Sequence, residues 1–293
     1  MAMMIGNGNR QFAHLPAAAA SLGLVFARPK AIAGACVIVL AGLGWFYVAL
    51  VAAPGTAFNG TRGAWVDGLQ ALCRAFPGDV WHGPAIAATA SMWSAMTLAM
   101  MLPSAAPMIL TYAEIAETAA RKGEPIVSPL FIAAGYASVW LGFSAGATVA
   151  QLALARAVLL NTGITSAGGL FSAAIFIGAG LYQFSRLKHA CLAHCRQPFQ
   201  FFFVNWATTP RGVFRLGARQ GFYCLGCCWA MMLVMFAVGV MNVVWMAGLA
   251  IVMTAEKLQS GRRLTHAVGV ALIAVGMVVA MGAVTAHWPT RVG

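Results

Sequence analysis

Five of the seven cysteines lie within 38 residues, in two groups whose spacing suits an α-helix. Cys191 and Cys195 are four residues apart, and so are Cys224 and Cys228. On a helix each pair would present two sulfur atoms on one face. Thiolate ligands suit Cu(I), Zn(II) or an iron–sulfur cluster, and they suit Mg or Ca poorly. The two pairs therefore predict a four-sulfur site for a soft metal.

Further soft ligands lie near these pairs or recur along the apolar parts of the chain. Imidazole nitrogen also suits Cu(I) and Zn(II), and thioether sulfur binds Cu(I) without losing a proton. The chain has 16 methionines, several of them at helical spacing in apolar stretches. The candidate metal ligands are Cys191, Cys195, Cys224, Cys227, Cys228, His189, His194, Met96, Met100 and Met231.

Other interpretations of the same residues stay open. Free cysteine often behaves as a small buried hydrophobe, and methionine is an adaptable filler of apolar packing. A disulfide on the outer face would be a further alternative if the membrane topology were inverted. The density of the cysteines and their matched spacing favour the metal interpretation.

The composition is that of a protein whose solvent is lipid. The 293 residues are 61% hydrophobic and 8% charged, whereas a soluble domain has about a quarter of its residues charged. Long continuous apolar runs predict helices, because barrel strands would alternate over short segments. The net charge of +12 comes from Lys and Arg between the runs, with no basic face or base-stacking motif, which argues against nucleic-acid binding.

The predicted fold class is all-α: a polytopic transmembrane bundle of about six spans, with one of them broken or re-entrant as an alternative. Residues 1–30 are predicted to form a cytoplasmic N-terminal segment, and residues 31–290 a single transmembrane domain. The fifth span is longer than one crossing needs, so it is tilted, extended beyond the membrane or broken near Gly239. The predicted spans are Ala31–Ala53, Pro84–Tyr112, Ser128–Leu154, Ala167–Phe184, Phe222–Ala255 and His266–Ala286.

The distribution of Lys and Arg predicts the orientation. Six crossings with a cytoplasmic N-terminus place twelve of the 18 inside and six outside, with both termini cytoplasmic. If the loop containing Lys257, Arg262 and Arg263 instead faces the cytoplasm, the fifth region must contain a re-entrant element. Both cysteine groups are expected at the cytoplasmic boundary of a multi-pass inner-membrane protein, where thiols stay reduced. Glu256 is interpreted as a solvated charge at a span end.

Several motifs between Met92 and Lys257 resemble those of a bacterial family of unknown function labelled "predicted metal-binding integral membrane protein". The resemblance implies metal binding in a membrane protein and supplies no activity. The motifs are Trp93 with Met96, Met100, Met101 and Pro103; Gly135-Tyr136 with Trp140; Tyr182-Gln183 with Lys188, Cys191, Cys195, Arg196 and Pro198; Gly221 with Cys224, Gly226-Cys227-Cys228-Trp229 and Met231-Met232; Gly239 with Asn242 and Trp245-Met246; and Glu256-Lys257.

The hypothesis favoured by the sequence is a membrane protein that binds a soft metal, copper(I) before zinc, and transports it or delivers it to a metal-accepting protein. The alternatives are a membrane oxidoreductase that uses the same thiols for a redox centre and an assembly subunit without metal. The sequence has no Gly-rich phosphate loop with its Lys and no His-Glu-x-x-His zinc helix, so it supports an enzyme less well. The expected partners are the lipid bilayer and a metal-accepting protein, with no nucleic acid.

Overall fold

The computed structural model describes residues 29–52, 81, 83–123, 127–160, 165–239, 242–259 and 261–285. Every regular element in these ranges is an α-helix, which confirms the predicted fold class. The helices are α1 (Pro29–Ala52), α2 (Gly83–Arg121), α3 (Pro129–Leu160), α4 (Thr165–Tyr182), α5 (Arg186–Arg196), α6 (Pro198–Val204), α7 (Pro210–Val238), α8 (Val243–Leu258) and α9 (Arg263–Thr285).

Four helices in the described ranges are long and apolar enough to cross a membrane: α2, α3, α7 and α9. Residues Gly168–Tyr182 of α4 and the helix α5 meet at a bend of 63°, and together they could form a fifth span. Within α1, the segment Gly34–Ala49 is a shorter apolar helix. These helices are compatible with a multi-pass membrane protein, and the expectation of six crossings stays a prediction.

Contacts between neighbouring helices fix their directions. In α1, Gly34 lies against Leu110 while Trp45 Nε1 donates to Ala99 O at 3.1 Å, so α1 and α2 are antiparallel. The next pair, α2 and α3, is also antiparallel, because hydrogen bonds join Trp93 to Gln151, Thr97 to Ser144 and Tyr136 to the carbonyl of Met101.

Close approaches at glycine give the directions of the remaining long helices. Gly135 meets Phe214 and Gly221 meets Val139, so α3 and α7 run parallel. On the other side of the bundle α4 and α9 are antiparallel, as shown by the contacts of Gly169 with Ala283, of Gly180 with Ile273 and of Gly276 with Ile177.

The predicted fifth span is two antiparallel helices, α7 and α8, separated at Gly239, whose φ is +95°. Asn242 caps α8 by accepting a hydrogen bond from Trp245 N at 3.2 Å. At 1.5 Å per residue, the distance along α7 from Cys224 to the end of the helix is about 21 Å. The distance along α8 from its start to Lys257 is also about 21 Å. The Lys257 Nζ lies 3.0 Å from Cys224 Sγ, so α8 returns to the level of the cysteines. The structure thus corresponds to the broken alternative.

These directions define two ends of the bundle. We call one of them the basic end and the opposite one the far end. The basic end is formed by the start of α1, the α2–α3 turn, α5, α6, the start of α7, the end of α8 and the start of α9. Of the Lys and Arg that the structure describes, only Arg156 lies toward the far end. Those at the basic end are Lys30, Arg121, Lys122, Arg186, Lys188, Arg196, Arg211, Arg215, Arg219, Lys257, Arg262 and Arg263.

The prediction that both termini lie on one side falls on residues 1–28 and 286–293, outside the described residues, and stays a prediction, but the helix ends next to them lie at opposite ends of the bundle. The end of α9 at Thr285 lies at the far end, opposite the start of α1 at Pro29. The physical reason is the reversal at Gly239, which adds one change of chain direction to the number assumed from the sequence.

Glu256 also differs from its interpretation as a solvated charge. Its Oε2 lies 2.7 Å from Lys188 Nζ, and the two side chains are 2% and 0% exposed. Arg196 donates from its guanidinium to the carbonyl oxygens of Glu256 and Gly261. The return of α8 into the bundle brings Glu256 against α5, where a cation compensates its charge.

Candidate metal centre

Three cysteines on one face of α7 bring their sulfur atoms together. The Sγ atoms of Cys224, Cys227 and Cys228 all lie within 4.8 Å of one another, and the residues are 2%, 1% and 1% exposed. Positions i, i+3 and i+4 share a helix face, which is why the local sequence alone builds this group. The Sγ atoms of Cys227 and Cys228 are 3.2 Å apart. We call these three residues the thiol triad.

A fourth thiol approaches the thiol triad from a different helix. Cys195 in α5 is partly exposed, and its Sγ lies 4.0 Å from that of Cys227. Ser185 caps α5 by accepting a hydrogen bond from Lys188 N at 3.1 Å. The backbone carbonyl of His194, in the last turn of α5, accepts a hydrogen bond from Gln220 Nε2 of α7 at 3.5 Å. These contacts position α5 across the face of α7 that carries the thiols.

Cys191 lies beside this group rather than in it. A Cβ added to Gly226 would lie 2.6 Å from Cys191 Sγ, so the thiol packs directly on that glycine. The carbonyl of Gly226 in turn accepts a hydrogen bond from Tyr182 OH. All six cysteines in the described part of the chain are free thiols.

Two polar residues that the cysteine spacing did not predict contact the thiol triad. Lys257 Nζ donates to Cys224 Sγ at 3.0 Å and to Ser104 Oγ at 2.7 Å. The hydroxyl of Tyr136 lies 3.0 Å from the same Sγ atom. Both residues occur in the motifs that carry the family resemblance, and those motifs were the sequence signal for a role at the site. Spacing along the chain does not connect either residue to Cys224.

The two candidate histidines make other contacts. The His189 ring lies 5.6 Å from the His266 ring in an edge-to-face arrangement. The His194 ring stacks on Tyr223 at 4.3 Å, and its Nδ1 is 2.9 Å from the carbonyl oxygen of Ala190. Neither imidazole belongs to the group of potential ligand atoms that the described residues gather on α7.

The candidate methionines are buried in the core that also contains the thiol triad. Met231 follows Cys227 and Cys228 on the next turn of α7, and its Sδ accepts a hydrogen bond from Gln183 Nε2 at 2.9 Å. Met96 and Met100 lie one turn apart on α2 and are completely buried. Met231 therefore places a thioether sulfur one helical turn from the thiol triad, toward the far end.

A cavity of about 220 Å³ reaches the thiols from one side. Its wall includes Cys195 and Cys224 together with Lys257, Arg196 and Gln220. The proline-containing part of α2, around Pro103 and Pro107, also lines the cavity. Small molecules could therefore reach Cys224 although the residue itself is buried.

The chemistry of this site fits a soft monovalent cation. Its potential donors are thiol sulfurs, which bind Cu(I) better than they bind hard cations. Three thiolates and one Cu(I) would carry a net charge of minus two, and an uncompensated charge in an apolar interior is costly. The ammonium group of Lys257 beside Cys224 offsets one of these charges.

Comparison with known proteins places the chain in a family. No curated protein and no solved structure matches it. The family model described as "PpoB2: Copper chaperone" matches residues 90–279, which include the thiol triad, Cys195, Tyr136 and Lys257. This description agrees with the metal binding that the sequence resemblance implied, and it names a function where the resemblance had none. The matched interval covers 190 of the 293 residues, and the chain therefore belongs to the PpoB2 family of copper chaperones.

Proposed function

We propose that this protein is a multi-pass inner-membrane chaperone that binds Cu(I) at the thiol triad and passes it through Cys195 to a metal-accepting protein. The observation that carries the proposal is the convergence of three buried Sγ atoms within 4.8 Å on one face of α7. The copper ion is cargo, so the site has to bind it selectively and still release it.

The charge distribution supports loading from the cytoplasm. Cytoplasmic segments of membrane proteins carry an excess of Lys and Arg, and the basic end holds nearly all of those that the structure describes. The thiol triad begins five residues after Arg219, the last cation of α7, and its Cys224 contacts Lys257 at the end of α8. The cytoplasm is also the compartment where thiols stay reduced.

The placement of Cys195 supports release by ligand exchange. Cys195 is a partly exposed residue whereas the thiol triad is buried, its Sγ lies 4.0 Å from that of Cys227, and it belongs to a separate helix. A Cu–S bond to Cys195 can form while one to α7 breaks, so the ion stays bound to sulfur during transfer. We assign Cys191, His189, His194, Met96, Met100 and Met231 to auxiliary positions around this route.

Copper analysis of the purified full-length protein tests the proposal. After anaerobic loading with Cu(I) and removal of excess metal, we expect about one copper per chain in the wild type and near none in Cys228→Ser, because a hydroxyl is a poor soft ligand. The matched control is Cys36→Ser, a free cysteine of α1 outside the site. Equal copper loss in both variants, or a wild type without copper, would contradict the proposal. Cys73, the remaining cysteine of the chain, lies outside the described residues.

A transfer assay separates binding from release. Cys195→Ser should keep its copper and give it up at least tenfold more slowly to an accepting protein or soluble chelator. If the variant transfers copper at the wild-type rate, Cys195 has no part in release.

A further inference from the structure

The cavity beside the thiol triad has a chemically specific wall. Two of its fourteen lining residues, Lys257 and Arg196, are cationic, and none is Asp or Glu. Lys257 Nζ points to Ser104 Oγ and Cys224 Sγ at the inner end. An anionic group in this cavity would meet two cationic lining residues and no carboxylate in the wall.

The same wall contains a buried acceptor without a donor. Gln220 is 3% exposed, and its Oε1 has no hydrogen-bond partner among the described residues. A buried polar atom left unpaired costs about 1–3 kcal/mol, so such atoms usually have a partner when the site is complete. An N–H group on a bound molecule would supply that partner.

Size and the sulfur atoms limit the class of ligand further. The volume of about 220 Å³ exceeds the roughly 150 Å³ of a cavity that binds benzene, and it lies below the roughly 300 Å³ at which pockets for drug-sized ligands begin. A folded partner cannot enter such a space, whereas an amino acid derivative or the end of a small peptide can. Cys195 and Cys224 both line the cavity, so a sulfur atom of the ligand would lie next to the proposed copper ligands.

We propose that the cavity binds a small anionic thiol that carries a carboxylate and an N–H group, and that this molecule delivers Cu(I) to Cys224. The carboxylate would lie between Lys257 and Arg196, the N–H group would donate to Gln220 Oε1, and the sulfur would share the metal with Cys224. The ligand keeps this shared position until it leaves, when its Cu–S bond breaks as a Cu–Sγ bond to a second cysteine of the thiol triad forms, and the copper remains Cu(I). The proton released by the cysteine thiol goes to the departing thiolate. This inference rests on the proposed function.

Binding of radiolabelled glutathione to the copper-loaded full-length protein tests the inference. Glutathione has the required thiol, carboxylates and N–H groups. We expect retention of about one glutathione per bound copper. Gln220→Met should weaken its binding about tenfold because it removes the acceptor, and Ala105→Leu should weaken binding at least as much by filling the cavity. The matched control is Gln200→Met, an exposed glutamine of α6 outside this cavity, which should bind as the wild type does.

The results separate this inference from the proposed function. A wild type that carries one copper per chain but retains no glutathione would overturn the inference alone. The same holds if S-methylglutathione, which lacks the thiol, binds as tightly as glutathione, or if Gln220→Met and Ala105→Leu both bind it normally. A wild type that carries no copper would overturn the proposed function and, with it, this inference.

Discussion

The α4–α9 pair and the α7–α8 pair are both antiparallel, but different side chains hold them together. Along α4 and α9 the contacts are made by small residues: an added Cβ at Gly180 would lie 2.8 Å from the carbonyl oxygen of Gly269. Small residues allow such close approach between helices in lipid. Between α7 and α8 there is a polar contact, in which Lys257 Nζ donates to Cys224 Sγ, and Asn242 caps the start of α8.

This difference separates the part of the bundle that supports the site from the part that performs chemistry. Polar and ionisable groups inside a membrane protein are costly, and they concentrate where function needs them. In the described chain the buried ion pair, the thiol triad and the cation beside it all involve α5, α7 or α8. We expect changes in α4–α9 to affect stability, and changes around α7–α8 to affect copper as well.

The largest expected effect concerns membrane topology, because a reporter fusion reads one side of the membrane or the other. The reversal between α7 and α8 places Gln259 and Gly261 at the basic end and Thr285 at the far end. Reporter fusions at Gly261 and after Thr285 should therefore read opposite sides of the membrane, with Gly261 cytoplasmic. If both fusions report the same side, α7 and α8 do not form an antiparallel pair.

The next largest effect is expected at the buried ion pair. Glu256→Gln leaves the Lys188 ammonium buried without its counter-charge, which typically costs about 3–5 kcal/mol, and thermal unfolding in detergent should show the loss. The matched control is Glu117→Gln, which breaks the exposed pair with Arg121 and should cost less than about 1 kcal/mol. The double variant Lys188→Met/Glu256→Met should recover much of the stability. Equal losses from the two Glu variants would mean that burial of the pair is irrelevant.

A pair of glycine substitutions compares the two regions directly. A Cβ at Gly180 would lie 2.7 Å from Ile273, and one at Gly217 would lie 2.1 Å from the carbonyl oxygen of Ile132. Overpacking of this kind costs about 1–3 kcal/mol. We expect Gly180→Ala to lower the melting temperature and keep its copper, while Gly217→Ala loses both because it displaces α7.

The glycine controls lie on α4 and on α3, the helix against which Gly217 packs. An added Cβ at Gly178 in α4 or at Gly142 in α3 meets nothing within 4 Å. Both Ala variants should have the melting temperature of the wild type and bind copper normally. Should Gly180→Ala lose copper as completely as Gly217→Ala, the α4–α9 pair would be part of the metal centre and the division would not hold.

The smallest effect is expected from the cation beside Cys224. Lys257→Met removes the ammonium that offsets the charge of a copper–thiolate site, and we expect about tenfold weaker Cu(I) binding, or about 1.4 kcal/mol. Competition with a colorimetric Cu(I) chelator measures this change, with Lys122→Met in the α2–α3 turn as the control. An unchanged affinity would show that the charge of Lys257 does not stabilise the bound metal.

The features predictable from the sequence were those set by local spacing. The thiols of Cys224 and Cys228 follow from positions i and i+4 of one helix, and Cys227 shares their face. By contrast, Lys257 and Tyr136 reach Cys224 from 33 and 88 residues away, and only the directions of α3 and α8 bring them there. Those directions depend on the reversal at Gly239.

The same dependence explains the wrong interpretation of Glu256. A carboxylate beside Lys257 at a span end is most simply solvated when the span is taken as one helix. The glycine at 239 and a capping residue at 242 were the signals for a break. They could not show which helix α8 would meet, because long-range packing decides that.

The central claim is that the thiol triad holds Cu(I), and X-ray absorption spectroscopy of the copper-loaded full-length protein tests it most directly. We predict an edge typical of Cu(I) and a first coordination shell made of sulfur alone. Loss of the copper–sulfur signal in Cys228→Ser, with an unchanged spectrum in Cys36→Ser, would place the metal on α7. A wild-type shell dominated by nitrogen or oxygen, or a spectrum unchanged in Cys228→Ser, would contradict the claim.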